Sequence, residues 1–194
     1  MTTIKFDIIL AGVGGQGVLS VSAIIASSAM KEGLAVKQSE VHGMSQRGGA
    51  VLANLRLSDH PIASDLIPRG TAAMILSMEP LESLRYLEFL SAEGTVITAT
   101  NPVANIPDYP PVEDVLASVR SLPHALTIDA ESLARKAGSA RATNMVMVGA
   151  ASPMLPVPFA TIEHFVETVF AGKGAHVVEI NLKALHAGRA AASR

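Results

Sequence analysis

Three side chains that commonly act in catalysis fall close together in one short segment. Glu40, His42 and Arg47 lie in a stretch, residues 40–49, that reads Glu-Val-His-Gly-Met-Ser-Gln-Arg-Gly-Gly. A carboxylate two residues from an imidazole can fix the tautomer of the ring and favour its charged form, and a guanidinium can grip a carboxylate or phosphate through paired hydrogen bonds. We therefore predict Glu40, His42 and Arg47 as catalytic residues. The competing interpretation is an ion-paired loop that only organises the turn or contacts another subunit.

A glycine-rich stretch earlier in the chain is the second candidate for chemistry. Residues 12–17 read Gly-Val-Gly-Gly-Gln-Gly, follow an apolar run of strand length (residues 6–11) and precede a run free of glycine and proline (residues 18–26). The pattern G-x-G-x-x-G allows close backbone approach, and the helix that follows offers unpaired N–H groups to an anion. The residues that we predict to bind a cofactor are Gly12, Gly14, Gly15, Gln16 and Gly17.

The glycine stretch lacks the companions that would define a nucleotide site. A dinucleotide site has an acidic residue about 20 positions further on, and the nearest candidate, Glu40, lies later in the chain. A triphosphate-binding loop has Lys and then Ser or Thr after its last glycine, where this chain has Val18 and Leu19. A glycine turn needed only for tight packing of a strand against a helix therefore stays open as an alternative.

Two other kinds of chemistry have little support in the sequence. Ser45 lies in Gly-Met-Ser-Gln-Arg, which lacks the final glycine of a hydrolase nucleophile elbow. The six histidines include no pair at the helical spacing of metal ligands and no His-Glu-x-x-His run, so we expect no metal site.

Met145 and Met147 fall in a small-residue helical pattern and are predicted to fill the core.

Composition limits the partners and cofactors of the chain. It has 15 basic and 17 acidic residues without a basic run, so we expect no nucleic-acid partner. It has no cysteine, so it cannot by itself ligate an iron–sulfur cluster through thiolates or use a cysteine nucleophile. Charged residues make up only 16% of the chain and hydrophobic residues 49%, which favours a subunit with a sizeable buried interface.

The sequence indicates one cytoplasmic domain. The N-terminal residues lack the basic segment, apolar core and cleavage site of a signal peptide. The longest apolar stretch, residues 18–30, is interrupted by serines and is shorter than the roughly 20 residues of a membrane span. We expect no membrane partner, and the length suits a single domain over residues 1–194.

Strand and helix patterns alternate along the chain, which predicts an α/β fold: a Rossmann-like three-layer sandwich with a largely parallel, mixed sheet covered on both faces. The expected strands are residues 6–11, 35–40, 50–58, 72–77, 94–99, 125–128 and 177–180. The expected helices are one from Val18 ending at Gly33, then residues 81–90, 113–121, 130–136, 143–151 and 161–170, and a last one from Asn181. Asp129 is predicted to cap the helix that follows it.

Together the two motifs resemble the gamma-type domain of thiamine-diphosphate-dependent 2-oxoacid:ferredoxin oxidoreductases. The resemblance rests on residues 12–17 after a first strand, on residues 40–49, and on Asn144-Met145 with Gly149. Within that group residues 40–49 look most like the beta subunit of indolepyruvate ferredoxin oxidoreductase, whereas the pyruvate and 2-oxoglutarate enzymes keep Arg-Gly-Gly but usually differ before it. The resemblance covers nearly the whole chain.

The resemblance implies a larger alpha subunit that carries thiamine diphosphate and iron–sulfur clusters, oxidatively decarboxylates an aryl pyruvate to an acyl-CoA and passes electrons to ferredoxin. It implies no cofactor on this chain, which would be inactive alone, and it makes coenzyme A a candidate shared substrate at the glycine stretch. The alternatives are the gamma subunit of a pyruvate or 2-oxoglutarate:ferredoxin oxidoreductase, and a free-standing nucleotide- or flavin-binding module.

Overall fold

The computed structural model describes residues 3–42, 48–104 and 106–193, apart from the side chain of His42. In this part of the chain six strands form one sheet, with the order β2-β3-β1-β4-β5-β6. The strands are β1 (Lys5–Val13), β2 (Ala35–His42), β3 (Ala50–Ser58), β4 (Ala72–Ser77), β5 (Leu90–Ala99) and β6 (Ala125–Ile128).

Helices cover both faces of the sheet. They are α1 (Val18–Lys31), α2 (Pro80–Arg85), α3 (Val112–Arg120), α4 (Ala130–Ala137), α5 (Thr143–Ala151), α6 (Phe159–Phe170) and α7 (Ala175–Ala192), with short 3-10 turns at Leu87–Phe89, Ala140–Ala142 and Ala171–Lys173. Within the described ranges, none of the helices has the length and apolar character needed to cross a membrane.

The sheet is mixed because one strand runs against the others. β1, β4, β5 and β6 are parallel neighbours, whereas β3 is antiparallel to both β1 and β2. The first strand–helix–strand unit is therefore confirmed in outline, but β3 inserts between its two strands. β1 lies in the middle of the sheet, and residues 7–13 are all buried, which explains why residues 8–11 form a continuous apolar run rather than an alternating one.

Two apolar clusters lie on opposite faces of the sheet, as the predicted three-layer sandwich requires. The larger contains residues of α1, α4, α5, α6 and α7, and the smaller contains Val119 of α3 and Ile67 from the connection between β3 and β4. The alternation in β3 is confirmed, because Val51, Ala53, Leu55 and Leu57 all join the larger cluster.

The helices α5 and α7 cross with their backbones in contact. A Cβ atom added at Gly188 would lie 1.9 Å from the carbonyl oxygen of Val146, and one added at Gly149 would lie 1.9 Å from the carbonyl oxygen of Leu185. Only glycine fits at either position. Met145 and Met147 of α5 are fully buried, which confirms that they fill the core.

Two sequence-based assignments are wrong. The helix expected over residues 81–90 ends at Arg85, and Leu90 begins β5, where it pairs with Ala72. The leucine spacing suggested a longer helix, but Leu87 and Leu90 reach the smaller cluster from a 3-10 turn and a strand instead.

The strand expected over residues 177–180 is part of α7. β-branched residues favour strands, but here packing decides the structure. Ile180 lies over the end of α4, where a Cβ at Gly138 would be 3.1 Å from its Cγ1 atom.

Candidate functional site at the carboxyl edge of the sheet

Residues 14–17 of the glycine stretch form the turn between β1 and α1, as predicted, whereas Gly12 and Val13 end β1. Gly15 (φ +103°) and Gly17 (φ +80°) adopt the left-handed backbone conformation that favours glycine, whereas Gly14 does not have a positive φ. A Cβ atom at Gly15 would meet none of the described atoms within 4 Å, and Gly15 is exposed. The turn therefore presents exposed backbone to whatever binds at this edge.

Gln16 holds the turn in place from within. Its Oε1 atom accepts a hydrogen bond from the backbone N–H of Val13 (2.8 Å), and its Nε2 atom donates to the carbonyl oxygen of Met78 (3.0 Å). Gly12 leaves room for this side chain, because an added Cβ would lie 3.0 Å from Oε1 of Gln16 and 2.9 Å from Cγ2 of Val18. These contacts give Gly12 and Gln16 a structural role in strand–helix packing, the alternative left open by the sequence.

The helix α1 begins at the turn without a capping side chain. Gly17 is its N-cap residue, and the carbonyl oxygen of Gly17 accepts from the N–H groups of Ser20 (3.0 Å) and Val21 (3.2 Å). The first helical turn contains no acidic residue, so the positive end of the helix dipole is not neutralised locally. A Cβ at Gly17 would lie 2.9 Å from Nδ2 of Asn144. The starts of α1 and α5 are therefore side by side.

The two sequence motifs meet at the glycine turn. The backbone N–H of Gly14 donates to the carbonyl oxygen of Gly49 (2.8 Å), and the N–H of Gly48 donates to the carbonyl oxygen of Gly14 (3.4 Å). The residues that directly follow Arg47 are thus bonded to the turn, although they are far from it in the sequence.

The three predicted catalytic residues lie only partly within the described residues. Glu40 is exposed on β2, where it pairs with Ala53 of β3. His42 ends β2, and its backbone pairs with Val51. The side chain of His42 and all of Arg47 lie outside the described residues. The joint catalytic role of these residues stays a prediction.

A cavity of about 240 Å³ opens beside the glycine turn. It lies where β4, β5 and β6 end and where α4 and α5 begin, the edge at which parallel α/β sheets bind ligands. Gln16, Asn101, Glu131 and Thr143 contribute polar groups to its lining, and the other lining residues are Met, Ala, Pro and Val. The cavity is therefore largely apolar, with neutral hydrogen-bonding groups from Gln16, Asn101 and Thr143 and one carboxylate from Glu131.

The start of α4 is fixed by two side chains next to this cavity. Asp129 accepts from the N–H of Ser132 (3.1 Å), which confirms the predicted cap. Asn101 accepts from the N–H of Glu131 (3.1 Å), and so ties the end of β5 to the same helix.

A buried carboxylate lies on the other side of Met78. Glu79 is 1% exposed and caps α2 by accepting from the N–H of Glu82 (2.8 Å). It also accepts from the N–H of Val103 (3.4 Å) and from the hydroxyl of Tyr109. Burial, together with the hydrogen bond to Glu79, raises the pKa of Tyr109 well above its ordinary value, so the phenol keeps its proton and donates.

A second carboxylate, that of Glu82, lies three residues further on in α2 and is 2% exposed. Its Oε1 atom lies 3.0 Å from Nε of Arg85, and its Oε2 atom has no hydrogen-bond partner among the described residues. Burial raises the pKa of Glu82, and the nearby guanidinium of Arg85 opposes that shift without reversing it.

Sequence reasoning missed Glu79, Asn101 and Tyr109. Glu79 carried a readable signal, because an acidic residue directly before Pro80 is typical of a helix start. Tyr109 carried none, because its partner Glu79 lies 30 residues away in the sequence.

The described residues at this edge offer groups suited to binding a ligand. An anion can lie at the start of α1, and an uncharged group can lie in the adjoining cavity. Among the described residues, no group of three or more His, Cys, Asp or Glu side chains could hold a metal ion.

The class of the protein follows from this architecture: a Rossmann-like α/β subunit with a glycine turn at the carboxyl edge of its sheet. The sequence pattern of the pyruvate ferredoxin/flavodoxin oxidoreductase family matches residues 7–191, and the chain belongs to that family. The chain is 39% identical to the indolepyruvate oxidoreductase subunit IorB of Archaeoglobus fulgidus over 191 residues, 95% of this chain and 94% of that protein. The prediction of a 2-oxoacid:ferredoxin oxidoreductase subunit is confirmed.

Two solved structures share the fold. The 2-oxoglutarate:ferredoxin oxidoreductase of Magnetococcus marinus, determined with 2-oxoglutarate, coenzyme A and succinyl-CoA bound, matches with a TM-score of 0.78 at 21% identity, over 100% of this chain and 32% of that one. The pyruvate oxidoreductase subunit PORC of Thermotoga maritima matches with a TM-score of 0.73 at 24% identity, over 95% of this chain and 94% of that one. At these identities the two structures confirm the predicted α/β fold alone.

Proposed function

We propose that this chain is the small subunit of an oxidoreductase that acts on indolepyruvate or a similar aryl pyruvate. The complex converts the 2-oxoacid, coenzyme A and two oxidised ferredoxins into an acyl-CoA, CO2, a proton and two reduced ferredoxins. The observation that carries the proposal is the similarity to IorB of Archaeoglobus fulgidus, which extends over 95% of this chain. The proposal treats residues 1–194 as one domain of a cytoplasmic complex.

The redox cofactors of the proposed complex belong to a larger partner subunit. The chain contains no cysteine, so it offers no thiolate ligand for an iron–sulfur cluster. We assign the clusters, the thiamine diphosphate and the contact with ferredoxin to that partner. The small subunit contributes binding groups at the carboxyl edge of its sheet.

The glycine turn is the proposed contact for an anionic part of coenzyme A. The start of α1 has no capping side chain and no acidic residue in its first turn, which suits a phosphate group. Gly15 is exposed and would let a ligand approach the backbone closely. The Magnetococcus marinus structure, in which coenzyme A is bound to a protein that contains this fold, is consistent with the proposal.

The test is reconstitution with the larger subunit. We expect the isolated chain to be colourless and inactive, because it has no thiolate cluster ligands, and the assembled complex to reduce ferredoxin only with both an aryl 2-oxoacid and coenzyme A. Rates with aryl, branched and short 2-oxoacids would identify the substrate class. Turnover by the isolated chain would contradict the proposal, and micromolar binding of FMN or a dinucleotide by it would favour the free-standing module.

Arg47 is proposed to grip a substrate or coenzyme anion together with Glu40 and His42. In the assembled enzyme, Arg47→Lys should lower turnover by roughly tenfold, because lysine cannot reproduce two parallel charge-assisted hydrogen bonds. The melting temperature of the isolated chain should stay nearly unchanged. Full turnover combined with a melting temperature several degrees lower would instead make Arg47 a structural ion-pair residue.

A further inference from the structure

We propose that Glu79 is a positioning residue for ligand binding. Its carboxylate clamps the proline-rich connection between β5 and α3 (residues 100–104 and 106–111), so that residues 101–103 form one wall of the cavity beside the glycine turn. The cavity then receives an uncharged part of a ligand whose anionic part lies at the start of α1. The inference rests on the proposed function, which supplies coenzyme A as that ligand.

The clamp joins three pieces of the chain through one side chain. Glu79 follows the end of β4, caps α2 through the N–H of Glu82, and accepts two hydrogen bonds from the proline-rich connection, one from the backbone of Val103 and one from the hydroxyl of Tyr109. A carboxylate with 1% exposure is unfavourable unless it is hydrogen-bonded. Capping α2 uses Oε2, and the two bonds from the connection both go to Oε1.

The clamped segment contributes directly to the cavity. Asn101, Pro102 and Val103 line it, and so does Met78, the residue next to Glu79. The carbonyl oxygen of Met78 accepts from Nε2 of Gln16 in the glycine turn. Residues 78 and 79 therefore connect the turn on one side of the cavity to the proline-rich wall on the other, and a shift of the clamp would change the width between them.

The chemistry of the lining selects the part of the ligand that fits. Gln16, Asn101 and Thr143 offer amide and hydroxyl groups, and the one charged side chain in the lining, Glu131, is hydrogen-bonded to Arg135. Among the described residues that line the cavity, a phosphate would find no cationic side chain. An uncharged group with apolar surface and a few hydrogen-bonding atoms would be accommodated, while the phosphates stay at the start of α1.

The test uses the assembled complex and the variant Tyr109→Phe, which removes one clamping hydrogen bond and keeps the ring. We expect the KM for coenzyme A to rise by about five- to tenfold, the effect of one lost hydrogen bond, with kcat within about twofold of wild type. Thr143→Val removes a hydroxyl from the cavity and should raise the same KM. Tyr86→Phe is the matched control, because this half-buried tyrosine lies outside the cavity lining. The KM of this variant for coenzyme A should not change.

An unchanged KM for coenzyme A in Tyr109→Phe would overturn the inference. If kcat and the melting temperature fell at the same time, Glu79 would have a structural role only. If the wild-type complex shows no reaction that depends on coenzyme A, this result contradicts the proposed function. Hydrogen exchange then decides the inference separately: coenzyme A should protect the backbone amides of Asn101 and Val103 in the wild-type complex and protect them less in Tyr109→Phe. Absence of protection in the wild type would contradict it.

Discussion

Gly188→Ala is expected to destabilise the protein by about 3 kcal/mol or more, because the added methyl group would lie 1.9 Å from the carbonyl oxygen of Val146. Alanine is the better helix former by about 1 kcal/mol, but an overlap with backbone atoms cannot be relieved by rotating a side chain. α5 and α7 would have to separate, which would expose fully buried residues such as Met145 and Leu185. Thermal unfolding followed by circular dichroism should show a midpoint lower by roughly 6–12 °C.

A matched control separates the crossing of the two helices from a general effect of replacing glycine. Gly172 has no atom within 4 Å of an added Cβ and no positive φ, so Gly172→Ala should melt close to the wild-type temperature. Gly149→Ala should behave like Gly188→Ala, since its Cβ would meet the carbonyl oxygen of Leu185 at the same distance of 1.9 Å. If Gly188→Ala melted with the control, the close backbone contact between the helices would be refuted.

The second large effect is expected at the ion pair between β1 and β3. Asp7 is 2% exposed and accepts from Nε (2.9 Å) and Nη2 (3.0 Å) of Arg56. The Nη1 atom of Arg56 also donates to the carbonyl oxygens of Ser64 and Leu66, both at 3.0 Å. Asp7→Ala should lower the free energy of unfolding by about 3–5 kcal/mol, because it leaves a nearly buried guanidinium without its counter-ion. Urea denaturation measures this directly.

A double-mutant cycle checks whether the two residues act as a pair. Asp7→Ala with Arg56→Ala should cost much less than the sum of the single changes, since neither charge is then left without the other. Lys183→Ala is the control, because Lys183 and Glu179 form an exposed pair (59% and 58%) of the kind that contributes little to stability. Additive losses at Asp7 and Arg56 would mean that the two side chains stabilise the fold independently.

Most strands and helices could be predicted from the local sequence pattern, because buried elements leave a recognisable pattern of apolar residues. β1 has a continuous apolar run from Ile8 to Ala11 since both of its faces are covered there, and the alternation of β3 gave its two faces correctly. The strand order did not follow from pattern, because nothing local states that β3 inserts between β1 and β2. The helical state of residues 177–180 also escaped, since their β-branched side chains favour strands and only packing against α4 and α5 decides otherwise.

The candidate site was predictable only where its residues are neighbours in sequence. Gly15 and Gly17 could be assigned to a turn because the G-x-G-x-x-G pattern is typical of a turn whose glycines have positive φ. The side chain of Gln16 bonds to Val13 and Met78, and its contact with a cofactor stays a prediction. The clamp at Glu79 depends on contacts made across the fold, which no local spacing reveals.

The register of β2 and β3 has a consequence for protein engineering at the residues that join them. The two strands pair continuously from Ala35 with Ser58 to His42 with Val51, and Gly48 is bonded to Gly14 of the turn. The residues that flank positions 43–47 are therefore both hydrogen-bonded to other parts of the fold. We expect a replacement of these five positions by a cassette of equal length to leave the sheet in register, so that libraries at these positions would test what the edge recognises.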